Sequence, residues 1–224
     1  VRLLELNRYP FYLNSIGAQC DGSSGALCAM SQLHDLYYFL FPTPLAAETA
    51  KKLLRRLRGP RGAGRGEPMS LDRLHITLHY LGRFLNSIPR EVIDLALAAG
   101  SAMDYEPFGV RLDVLHSRGG FEKGTFGTVE LALQAGAARE LRGFQHALGN
   151  TMRRTGFAET QIRSHSHPHM HLHYKHERID RMVVAPVAWT VTQFALVDSL
   201  YGLGRHDVLA RWTLKARQQV FLDW

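Results

Sequence analysis

The apolar positions along the chain switch between a two-residue and a roughly four-residue period, and turn-rich segments separate the blocks. Residues 36–41 (LYYFLF) are aromatic and apolar between Asp35 and Pro42, which predicts a buried strand. Thr43 and Pro44 suit an N-cap and first helical turn. Leu45, Thr49, Leu53 and Leu57 then recur every four residues with Ala46, Ala50 and Leu54 beside them, predicting one buried helical face. Lys51, Lys52, Arg55, Arg56 and Arg58 fall largely off that face and read as its solvated side. Residues 59–70 are a loop by composition, without the Gly-Lys-Ser/Thr that a phosphate-binding loop requires. Residues 74–81, 108–115 and 125–133 predict strands, the last two forming a hairpin around Gly119, Gly120 and Gly124. Residues 89–99 and 138–155 have helical spacing, and strands follow at 168–174, 189–197 and 208–214. Several strands adjoin with few strand–helix–strand repeats, so the expected class is α+β with antiparallel sheets.

Composition narrows this picture. The 224 residues are 46% hydrophobic, enough for a sizeable core. No apolar stretch approaches the ~20 residues of a membrane span, so no membrane partner is expected. The formal net charge of +7 favours polyanionic partners, nucleic acid among them. Two cysteines, Cys20 and Cys28, are too few for a disulfide framework and lack the partners of a four-ligand zinc site. A cytoplasmic setting is the expectation. Residues 1–29 hold neither period, and Arg8, Pro10, Asn14 and Gln19 interrupt any signal-peptide core. They are read as a loosely ordered extension, with the folded domain spanning 30–224.

Two segments repeat each other. Residues 75–80 read His-Ile-Thr-Leu-His-Tyr and residues 169–174 read His-Met-His-Leu-His-Tyr. Strand alternation puts His75, Thr77 and His79 on one face, and His169, His171 and His173 on one face of the other strand. Ile76, Leu78 and Tyr80, and Met170, Leu172 and Tyr174, would face the core. Two such strands suggest two similar lobes whose polar strands meet across a cleft.

With Leu81-Gly82 after the first motif, Pro168 before the second, and Phe194-Ala195-Leu196-Val197-Asp198-Ser199 in the tail, the chain resembles the two-histidine phosphoesterase superfamily. The branch it resembles is that of the RNA 2′,3′-cyclic phosphodiesterases, also called 2′-5′ RNA ligases, over residues 36–214. The resemblance implies a bilobal fold of two pseudo-symmetric lobes, each an antiparallel sheet with flanking helices, around a central cleft. It implies hydrolysis of a 2′,3′-cyclic phosphate on an RNA 3′ end or nucleotide to a 2′-phosphate, with 2′-5′ ligation as a related capacity. One of His75 and His169 would deprotonate water and the other protonate the leaving oxygen. A pKa of ~6.5 leaves both histidine forms accessible near neutrality. Thr77 and His171 would hold the non-bridging oxygens, with no cofactor, no metal and a monomeric protein. His171 departs from the family, which has Thr or Ser there; its ring narrows the cleft and, if protonated, adds positive charge.

Arg118, Phe121 and Lys123 in the hairpin loop are candidates to meet a base or backbone phosphate. Two other readings compete. His165, His167, His169, His171, His173 and His176 form a tract that could hold zinc, copper or nickel. Alternatively, the domain could bind RNA without turning it over.

Overall fold

The computed structural model describes residues 31–57, 68–119, 127–134, 138–164 and 167–215. The extension expected at 1–29, along with Phe121, Lys123 and His165, lies outside the described residues. The aromatic run becomes strand β1 (Leu33–Leu40). Thr43 caps helix α1 (Pro44–Leu57) as expected, its hydroxyl accepting from the Ala46 amide at 3.3 Å. The buried face of α1 holds the expected Ala46, Ala50 and Leu54 together with Ala47, while Leu45, also expected there, is 78% exposed. The small alanines let the helix approach strands β6 (His169–His176) and β7 (Met182–Val191), and a Leu45–Thr49 row facing inward would hold it off.

The remaining elements are β2 (Ile76–Leu85), α2 (Arg90–Ser101), β3 (Phe108–Arg118), β4 (Gly127–Ala132), α3 (Arg139–Thr155), β5 (Arg163–Ser164), β6 (His169–His176), β7 (Met182–Val191), β8 (Gln193–Leu200) and β9 (Arg205–Thr213). The single strand expected over 189–197 is two strands broken at Thr192. Pro186 masked the first of them. Proline is confined to edge and bulge positions in sheets, and β7 is an edge strand.

The strands form one sheet ordered β7-β3-β4-β6-β2-β1-β8-β9, with β5 alongside β2. Every pairing is antiparallel. The two lobes are its halves, β7-β3-β4-β6 and β2-β1-β8-β9, joined through the paired residues Ile76 and Met170. Pseudo-symmetry is visible in the connections: β1–α1–β2 in one half and β4–α3–β6 in the other each deliver an inner strand to the seam.

The sheet cannot be flat. Five strands separate β7 from β8 in the order, which in a flat sheet is about 29 Å at ~4.8 Å per strand. Thr192 alone links them along the chain, so the far strands must curl toward each other. On the inner side, α3 packs over β2, β3 and β5, and α2 over β8 and β9. One apolar cluster including Tyr38, Ile76, Leu112, Phe144, Met170 and Phe194 spans both halves. Each such side chain contributes roughly 1.5–3 kcal/mol on burial. No helix among the described residues is long and apolar enough to cross a membrane.

Candidate active site

The seam between the halves builds the site. Ile76 and Met170 are fully buried and paired, so their neighbours point to the opposite, open face. Continuing the antiparallel register by one residue sets His75 across from His171 and Thr77 across from His169. The four residues singled out from the sequence therefore converge on one patch.

Strict alternation fails beyond that patch. The β1–β2 register runs Phe39–Thr77 then Tyr38–His79, so Leu78 is an extra residue, a β-bulge. The bulge turns His79 inward, where it is 1% exposed and its Nε2 donates to the Gln145 carbonyl of α3 at 2.8 Å. Gln145 in return donates to the Leu78 carbonyl at 3.2 Å, fixing the bulge to the helix. Gly149 gives α3 the room: a Cβ there would lie 3.4 Å from the His79 ring and 3.2 Å from Ile162. The second motif repeats the device. β4 and β6 pair Glu130 with His171 and Val129 with His173, leaving Leu172 as the extra residue, and His173 is fully buried. His79 and His173 thus leave the polar faces assigned to them. Tyr80 and Tyr174 move the other way, with Tyr80 against Tyr37 and Tyr174 42% exposed.

His75 sits in an aromatic cage. Its ring stacks on Phe39 with centroids 3.7 Å apart and meets His206 of β9 edge-on at 5.2 Å. Its Nδ1 donates to the Arg73 carbonyl at 2.7 Å, so in the neutral ring Nε2 holds the lone pair. Burial pushes the imidazole down to about 3, against the Arg73 hydrogen bond, and the nearby His206, His171 and His169 lower it further. His206 is itself lowered, by burial first and then by Arg73.

His169 repeats this local geometry in different company. Its Nδ1 donates to the His167 carbonyl at 2.7 Å, so in the neutral ring the lone pair again lies on Nε2. That Nε2 lies 2.9 Å from His171 Nε2 and 3.7 Å from Glu130 Oε1. His171 Nε2 donates to the same carboxylate oxygen at 3.1 Å, and its Nδ1 faces the Tyr174 hydroxyl at 3.1 Å. The Glu130 side chain is only 4% exposed, with His116 and Arg118 each at 3.9 Å. Burial alone would raise its carboxyl, but the His171 hydrogen bond and the charges of His169, His171 and Arg118 outweigh it and hold the group below its ordinary value.

Arg118 is the last residue of β3 rather than a loop residue, and its guanidinium reaches Glu130. The histidine tract divides: His169 and His171 share the open face, while His173 and His176 are buried with rings 5.1 Å apart. Glu130, Phe39 and His206 were not identified from the sequence. For Glu130 a signal existed, since it is the one charged residue in the apolar run of β4.

No protein-family model matches the chain, and no curated protein does. Solved structures do. The apo form of E. coli LigT is 24% identical, with a TM-score of 0.58 over 83% of this chain and 99% of that one. E. coli LigT complexed with 3′-AMP is 24% identical, with a TM-score of 0.56 over the same shares of 83% and 99%. TT0787 of Thermus thermophilus is 21% identical, with a TM-score of 0.58 over 80% of this chain and 97% of that one. The chain therefore has the LigT-like fold, the architecture that the paired histidine motifs implied.

Proposed function

We propose that the chain is a phosphoesterase that opens a 2′,3′-cyclic phosphate, on an RNA end or a nucleotide, to leave a 2′-phosphate. The observation that carries this reading is the matched pair of tautomers. Both His75 and His169 give Nδ1–H to the carbonyl two residues earlier, at 2.7 Å in each case, which leaves the lone pair of each neutral ring on Nε2. Two imidazoles preset in this way suit a reaction that removes one proton and delivers another. Support for a nucleotide-type substrate comes from LigT, whose structures include complexes with 3′-AMP and with phosphate.

The surroundings divide the labour. His75, dehydrated against Phe39, rests neutral with a lone pair at Nε2, the form of a general base that takes a proton from the attacking water. His169, with the Glu130 carboxylate 3.7 Å from its Nε2, takes the complementary role, the general acid that protonates the departing 3′ oxygen. Thr77 and His171 flank the two imidazoles across the seam and would hold the non-bridging oxygens as charge grows there. Because His171 Nε2 contacts His169 in the resting site, a phosphate entering between them would replace that contact with one to its own oxygen.

The test is a product assay on a 2′,3′-cyclic nucleotide and on cyclic-phosphate RNA, with the phosphate position identified. Ring opening to the 2′-phosphate is expected. Tight, salt-sensitive RNA binding without turnover would instead establish a binding module.

A further inference from the structure

Glu130, His169 and His171 form a triangle of ligand-type atoms that proton transfer leaves unexplained. Its edges are 2.9 Å between the two Nε2 atoms, 3.1 Å from His171 Nε2 to Glu130 Oε1, and 3.7 Å from His169 Nε2 to the same oxygen. A tetrahedral zinc ion with bonds of about 2.0–2.1 Å sets its ligand atoms about 3.3 Å apart, within the span of these edges. Two histidines and one glutamate are a donor set that zinc takes, leaving the fourth position open. The outer contacts suit metal binding as well. His169 Nδ1 is fixed on the His167 carbonyl and His171 Nδ1 faces the Tyr174 hydroxyl, so each ring is held at its far nitrogen. The carboxylate lies almost wholly out of water, with the Arg118 guanidinium and the His116 ring each 3.9 Å away. Arg118 is 66% exposed and has room to turn into solvent.

Among the described residues the other half has no counterpart. Thr77 stands where the second motif has His171, and β1 offers Phe39 where β4 offers Glu130. The triangle exists only because a histidine occupies position 171.

We propose that Glu130, His169 and His171 bind a divalent transition-metal ion, zinc being the best fit, and that the bound ion switches hydrolysis off. The second half of this statement rests on the reading of His169 as the proton donor. An ion on His169 Nε2 takes the lone pair through which the ring carries its proton.

The experiment titrates the metal-free full chain with Zn²⁺ against a chromophoric chelator. Alongside run E130Q, H171T and H75A, with circular dichroism to verify each fold. One Zn²⁺ per chain is expected. E130Q and H171T should each weaken binding by more than the roughly 10–100-fold cost of losing an outer-shell partner, and H75A should bind as the parent does. Zinc affinity unchanged in both ligand variants would place the ion elsewhere among the histidines and overturn the site. If E130Q does not fold, H171T on the other strand decides alone. In parallel, Zn²⁺ should abolish hydrolysis of a 2′,3′-cyclic nucleotide at the concentration that fills the site, and a chelator should restore it. Unchanged or faster turnover with the site filled would overturn the switch but not the site. A metal-free chain with no turnover would remove the switch together with the phosphoesterase reading, and the zinc titration would still decide the site.

Discussion

His75 rests on Phe39 at 3.7 Å and beside His206, with no carboxylate among its close contacts in the described residues, whereas His169 has a buried glutamate at 3.7 Å. The backbone around them is nearly the same: each ring is fixed at Nδ1 by the carbonyl two residues back, and each strand bulges at the leucine three residues on. One strand motif, used twice, therefore yields two imidazoles in different company. The motif sets position and tautomer, and the neighbouring strand sets what each ring touches. β1 supplies a ring and β4 supplies a charge.

The largest effect should come from removing either ring. H75A and H169A should each lower kcat on a 2′,3′-cyclic nucleotide by ~10²–10⁴ while circular dichroism stays unchanged. The double variant should be little worse than either single one, as expected for groups that act as a unit. Next is the aromatic cage. F39A lets water reach His75, so its pKa rises from about 3 toward the ordinary histidine value. A general base works only when deprotonated, so the acid limb of kcat/KM should lie well below pH 6 in the parent and move to higher pH in F39A. An unmoved limb would take the base role from His75.

The same depressed pKa makes a stability prediction. Below about pH 6.5 the unfolded chain binds a proton at position 75 that the folded one refuses until about 3. Denaturant stability should therefore fall as pH drops through that window, and H75A should flatten the slope. A smaller effect is expected at His79, which the bulge turns into the core. H79A removes the hydrogen bond to the Gln145 carbonyl, which keeps its intrahelical donor, at a cost of about 0.5–1.5 kcal/mol in chemical denaturation. The subtlest change is H171T, which makes the two motifs alike. It should lower kcat far less than H169A does, because a threonine hydroxyl also donates to the phosphate oxygens as charge grows on them.

The sequence showed the class of fold, most element positions and the four seam residues, because all of these are written in local period and in a repeated motif. It misplaced what depends on pairing. His79 and His173 were set on the wrong face because a bulge is a property of two strands, and strict alternation along one strand has no means of showing it. Glu130 and His206 come from β4 and β9, and only cross-strand register brings them to the histidines. On α1 the hydrophobicity of leucine points to a row through Leu45, while the sheet beneath takes mostly alanines, with Leu54 as the one large side chain fully buried.

The strand order also sets when each part of the molecule can form. Strands β3, β4, β6 and β7 lie in one continuous span, residues 108–191, so the half bearing His169 has all its strands before residue 193 is made. The half bearing His75 is split around it: β1 pairs His34 with Leu200, and β8 needs β9 through Thr213. On a ribosome the partner of Glu130 can therefore take shape while His75 still waits for β8 and β9, and closure across residues 34–200 is the late step.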